Sequence, residues 1–81
     1  MREKIEAILK QILKKKNIDF NEVNTDKLIT NNIISSLDLM ELISNLSDAF
    51  NVEFDYTDIS TENFNSLEKI VELIRNKEGK I

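Results

Sequence analysis

With 81 residues and 9.4 kDa, the chain has room for one small domain, 1–81, whose core is near the size where folding begins to need a staple or a partner. Cysteine and histidine are both absent, which excludes disulfides, thiolate nucleophiles, Ser-His and Cys-His catalytic arrangements, and zinc sites built on sulfur or imidazole. The single glycine, Gly79, leaves no P-loop or GxGxxG turn, so nucleotide enzymes are excluded. Little catalytic machinery remains, and neither an enzyme nor a metal site is expected.

No proline interrupts the chain, and helix formers dominate both ends. In residues 2–16, Ile5, Ile8, Leu9, Ile12 and Leu13 follow the i, i+3, i+4, i+7, i+8 spacing, with Lys4, Lys10, Lys14 and Lys15 away from that stripe. This predicts a first helix. Residues 17–35 then show no sustained period, a long stretch for a connection within a compact domain. Its apolar content (Ile18, Phe20, Val23, Leu28, Ile29, Ile33, Ile34) is too high for a solvated linker, so it should pack on the helices.

A central helix is predicted over residues 37–50, burying Leu39, Leu42, Ile43, Leu46, Ala49 and Phe50 on one arc. Residues 56–60 suit one short helical turn capped by Thr57 or Asp55. The last helix is predicted over 66–77 from Leu67, Ile70, Val71 and Ile74, with Asn65 as N-cap and Glu68 completing a capping box. The fold expected is all-α: a small bundle of three long helices plus one short one, with a long loop between helices 1 and 2. Its interior would be lined by Leu39, Ile43, Leu46, Phe50, Ile59, Phe64, Ile70 and Val71.

The net charge of −4 is unevenly spread. Residues 1–18 hold six basic and two acidic groups, residues 19–68 hold Lys27 against eleven acidic groups, and residues 69–81 hold four basic and two acidic. An acidic centre repels phosphate backbones and anionic headgroups, so no nucleic-acid partner is expected, and basic protein surfaces are the natural complement. The opening residues, Met1 to Glu6, alternate charge with apolar groups, and no apolar run approaches a membrane span. A cytoplasmic monomer without membrane insertion is expected.

On the central helix, Leu37 and Met40 fall outside the core arc, beside Glu41, Ser44, Ser47 and Asp48. Apolar groups ringed by carboxylates describe a docking site for a basic partner, with Leu37, Met40, Glu41 and Asp48 as its candidate residues. Ser35 and Ser36 open this face. Ser35 with Asp38 would cap the helix well, which is the commonest role of a serine there. A helix N-terminus also favours a phosphate ester through its free N–H groups and its dipole. With no histidine to take its proton, such a serine would be the substrate of another enzyme rather than a nucleophile on its own.

The stretch from Leu28 through Ile33-Ile34-Ser35-Ser36-Leu37-Asp38 to Ile43 resembles the attachment region of the acyl carrier protein family, where an Asp-Ser-Leu triplet opens the second helix. The likeness extends over essentially the whole chain: helix 1, the long apolar loop, an acidic second helix, a short third helix within residues 54–62, and Phe64 before the last helix. It implies that Ser36 carries 4′-phosphopantetheine, transferred from coenzyme A by a phosphopantetheinyl transferase. The arm would bear acyl or aminoacyl groups as thioesters in fatty-acid or related biosynthesis, handled by loading and processing enzymes with basic docking patches. Two positions depart from the family pattern. Ser35 stands where the aspartate is expected, removing a charge available to the transferase, and Asn32 replaces a common glycine. Asparagine tolerates a left-handed backbone better than most residues. A different class of function, an unmodified helical adaptor with the same fold that binds basic proteins, draws its main support from the missing aspartate.

Overall fold

The computed structural model describes residues 1–79, and among them the secondary structure is entirely helical. The first helix, α1 (Arg2–Lys15), buries Ile5, Leu9, Ile12 and Leu13 on the predicted stripe, with Ile8 at its edge. It stops where Asn17 turns left-handed at φ 60°. There the Asn17 and Ile18 amides donate to the carbonyls of Lys14 and Leu13, each at 3.0 Å, which satisfies acceptors the helix end leaves open.

The same device recurs at Asn32 (φ 57°) and Asn51 (φ 53°), each followed, like Asn17, by a β-branched apolar residue. Asparagine thus occupies all three left-handed positions among the described residues, while the lone glycine sits at an ordinary φ of −77°. In that region the Cβ of an L-residue crowds the following carbonyl oxygen, a cost that asparagine tolerates better than most residues.

The long connection carries a 3₁₀ turn at Phe20–Glu22, capped by Asp19, and then packs on the bundle as its apolar content implies. Leu28 is fully buried, a contribution of roughly 1.5–3 kcal/mol for a leucine side chain. Four backbone amides fix this segment to the junction between the last two helices. Leu28 N–H donates to the Asn65 carbonyl (2.7 Å), Ile29 and Thr30 N–H donate to Asn65 Oδ1 (2.9 and 3.1 Å), and Leu67 N–H donates to the Thr25 carbonyl (2.9 Å).

Asn65 is therefore not the N-cap of the last helix. Helix α4 (Leu67–Glu78) begins one residue later than expected, and Ser66 caps it by accepting from the Lys69 amide at 3.0 Å. The short helix is also displaced from residues 56–60. Asp55 Oδ1 accepts from the amides of Thr57 and Asp58 and from the Thr57 hydroxyl, which closes a tight turn and satisfies it locally. Ser60, extended at φ −143° and ψ 158°, then caps a separate helix, α3 (Thr61–Phe64). One further correction concerns Ile59, which is 39% exposed and does not line the interior.

Helix α2 (Ser36–Phe50) lies against α1, which also packs on α4, and α3 rests on α4. Leu42, Ile43 and Leu46 supply its buried arc, while Leu39, Ala49 and Phe50 are half-buried at the margin. Phe64 fills the centre, with Phe54 packed edge-on against it at 5.9 Å between ring centroids. The result is a small helical bundle of three long helices and one short one, with the start of α2 held at the junction of α1 and the long loop.

Candidate functional site

Two anchors bring the chain into α2. Ile34 is buried in the core, and the turn before it closes when the Ile33 and Ile34 amides both donate to the Leu28 carbonyl, at 2.9 and 3.0 Å. The left-handed Asn32 makes that closure possible, so the position occupied by glycine in the family pattern retains the conformation a glycine would supply.

Ser35 is the N-cap. Its Oγ accepts from the Asp38 amide (3.2 Å), and its amide and hydroxyl both donate to Asp38 Oδ2 at 3.0 Å. This is a reciprocal capping box, with aspartate in the place more often held by glutamate. Because Ser35 fills the cap, Ser36 is free to be the first residue inside the helix. It is exposed, and no hydrogen bond engages its hydroxyl among the described residues. Its backbone N–H belongs to the first turn, whose unpaired donors and positive dipole end face outward.

Lys16, the residue that closes α1, reaches across to this corner. Its ammonium donates to the Ile33 carbonyl at 2.7 Å and to Asp38 Oδ2 at 2.6 Å. Asp38 thus takes bonds from the cap residue Ser35 and from Lys16 at once, while Lys16 also holds the loop at Ile33. Burial pushes its carboxyl up, but the Lys16 ammonium and the amide and hydroxyl of Ser35 outweigh that and hold it below the ordinary carboxylate range. One turn along α2, Glu41 pairs with Lys15 at 2.7 Å.

The four expected docking residues do not share one environment. Leu37 is 82% exposed and Met40 57%, so both project from the bundle beside Ser36. Asp48 is exposed and borders an open groove of about 410 Å³ lined by Ile43, Ser44, Ser47, Asp48, Glu53 and Phe54. Glu41 is half-buried and its carboxylate is engaged by Lys15. Sequence reasoning placed the lysines of the first helix on its solvated side and so missed Lys15 and Lys16 as members of this site. The available signal was the clustering of three lysines, Lys14 to Lys16, on the last turn of a helix that precedes an acidic one.

Among the described residues, no helix is long and apolar enough to cross a membrane, and no cluster of acidic side chains is arranged to hold a metal ion.

The profile of the phosphopantetheine attachment site family matches residues 3–74. The chain belongs to this family. No curated protein and no solved structure matches it. Members are carriers that bear covalently attached 4′-phosphopantetheine, have no catalytic activity of their own, and work with a phosphopantetheinyl transferase and acyl-processing enzymes. The start of α2 fits the group: an exposed serine hydroxyl lies on a helix N-terminus, with the cap already supplied by its neighbour. With Ser35 in the place of the triplet's aspartate, the residue before Ser36 caps α2 through its side chain.

Proposed function

We propose that Ser36 is the attachment residue, and that the chain, acting as one carrier domain over residues 1–81, presents acyl groups for fatty-acid or closely related synthesis. The observation that carries this reading is the division of labour between adjacent serines: Ser35 is consumed by the cap, and Ser36 is left exposed and unengaged at the first turn. Attachment joins the Ser36 oxygen to the phosphorus of coenzyme A's pantetheine phosphate, breaks the pyrophosphate bond, and releases the adenosine bisphosphate. The proton must be taken by the transferase, because this chain offers no histidine or other base at the hydroxyl. The bound group supplies a terminal thiol on which cargo is held as a thioester. The protein's own part is to fix the root of the arm on a rigid helix end, where amide dipoles favour the phosphodiester's charge.

Leu37 and Met40 form the apolar contact that enzymes meet beside the arm, with Glu41 and Asp48 on the same face of α2. The cargo is an acyl or aminoacyl group, and the open groove between α2 and the loop after it offers a chain apolar contact at Ile43 and Phe54, the rest of its lining being Ser44, Ser47, Asp48 and Glu53. The working form is a cytoplasmic monomer; the large apolar residues it leaves exposed are Met1, Leu37, Met40, Tyr56 and Ile59, of which Leu37 and Met40 make the docking contact. Intact mass after incubation with coenzyme A and a broad-specificity transferase tests the reading. One added phosphopantetheine per chain is expected, and a mass that stays unchanged in a helical, folded sample contradicts it.

A further inference from the structure

The first two turns of α2 are acidic in sequence and nearly neutral in space. Asp38 and Glu41 are their two carboxylates, and both are taken by cations from the end of α1. The Lys16–Asp38 pair is the more sheltered, with side chains 30% and 18% exposed against 61% and 36% for Lys15–Glu41, and Lys16 is held further by the Ile33 carbonyl. Farther along, Asp48 and Glu53 have no ion-pair partner among the described residues. Asp48 lies twelve residues past Ser36, about 18 Å along the helix axis. Along α2, the end that bears Ser36 therefore presents apolar Leu37 and Met40 with both nearby carboxylates paired, and the first carboxylate of the helix without an ion pair is Asp48.

We infer that Lys15 and Lys16 determine which enzymes this carrier accepts, by occupying the carboxylates nearest Ser36 and shifting electrostatic recognition to Asp48 and Glu53. The inference rests on the docking face proposed above. The partner it fits has an apolar recess where Leu37 and Met40 arrive and basic residues set away from the arm, opposite the second half of α2. An enzyme with its basic residues beside the arm would have to displace Lys15 and Lys16 first, losing part of what it gains. Exposed pairs such as Lys15–Glu41 are weak enough for this competition to be settled by partner geometry.

The experiment compares the intact protein with Lys15→Gln/Lys16→Gln and with the charge-matched control Lys14→Gln/Lys69→Gln, whose side chains make no ion pair among the described residues. The probe is a broad-specificity transferase with a basic docking surface. Affinity is measured by titration on a Ser36→Ala background across a salt series, so that binding is read without transfer. Freeing Asp38 and Glu41 should tighten binding roughly threefold to tenfold at low salt and steepen its salt dependence, since each exposed charge pair contributes modestly. Lys15→Arg/Lys16→Arg, which keeps both pairs, should bind as the parent does. In the parent, Asp48→Asn with Glu53→Gln should weaken binding. Lys15→Gln alone, which spares the Lys16 contacts with the loop, should give part of the gain and guards against misfolding of the double variant. Equal affinities for the double variant and its control overturn the masking role, as does undiminished binding after loss of Asp48 and Glu53. Failure of every Ser36 form to be loaded would count against attachment there, while the titration would still decide the masking.

Discussion

The Ser35 amide and hydroxyl both donate to Asp38 Oδ2 at 3.0 Å, while the Asp38 amide donates back to Ser35 Oγ at 3.2 Å. This exchange makes the adjacent serines inequivalent. Ser35→Ala should cost about 1 kcal/mol, the usual loss for an N-cap, and lower the melting temperature by roughly 4–8 °C in a domain of this size. Ser36→Ala should melt close to the parent, because its hydroxyl is unengaged. Thermal unfolding of both variants checks this, and equal losses would show that the cap is shared.

The carboxyl of Asp38 links this corner to pH. Its folded pKa lies below the ordinary value, because hydrogen bonds from Lys16 and Ser35 outweigh a burial effect that on its own would raise it. A depressed folded pKa contributes stability that is fully present above the unfolded value, about 4, and is lost as pH falls through the lower folded one. Urea unfolding from about pH 6 to about pH 2 should therefore show a steeper acid loss in the parent than in Asp38→Asn. Parallel curves for the two proteins would mean that Asp38 gains nothing from its partners.

At Asn32 the backbone is left-handed, φ 57°. Asn32→Ala should cost about 1 kcal/mol, the penalty for placing an ordinary L-residue in that region. Asn32→Gly should be tolerated with a change of only a few tenths, because relief of strain is offset by greater freedom in the unfolded chain. Chemical denaturation of the two variants distinguishes a conformational requirement from a side-chain one.

Asn65 ties the long loop to the bundle through its amide oxygen, which accepts from Ile29 and Thr30. Asn65→Ala should destabilise by about 1–3 kcal/mol through unmet amide donors. Hydrogen exchange should quicken at Ile29 and Thr30 but not at Lys69, whose amide is held by Ser66. Faster exchange at Lys69 alone would instead restore Asn65 as the helix cap.

The three long helices were legible because each buries a stripe at helical spacing over twelve or more residues, and neither end needed tertiary information to be placed within a residue. The capping box at Ser35 and Asp38 was equally readable, being local. The short helix was not, because Asp55-Tyr56-Thr57-Asp58 and Ser60-Thr61-Glu62-Asn63 both begin like a capped turn, and only packing decides which continues as helix. Asn65 read as a cap because its role is played across 36 positions of sequence, against Ile29. The ion pairs were invisible for the same reason: Lys15 and Glu41 are 26 positions apart, and nothing in a run of lysines says which of them meets a carboxylate. The asparagine turns carried a signal that was read only at Asn32. Asn17-Ile18 and Asn51-Val52 repeat the pattern of a polar residue able to turn left-handed followed by one that packs back on the helix.

If the cargo is an acyl chain that enters the groove beside Ile43 and Phe54, stability should rise with chain length. Each methylene withdrawn from water adds roughly 0.8 kcal/mol, so long-chain forms should melt measurably higher than short-chain or unloaded ones. A flat series would exclude chain burial and favour an aminoacyl or surface-tethered load.

Attachment at Ser36 is tested most directly by peptide mapping of the protein after reaction with coenzyme A and a transferase. The expected result is a single phosphopantetheine on Ser36, lost in Ser36→Ala and retained in Ser35→Ala. Label on Ser35, or label that persists in Ser36→Ala, would contradict it.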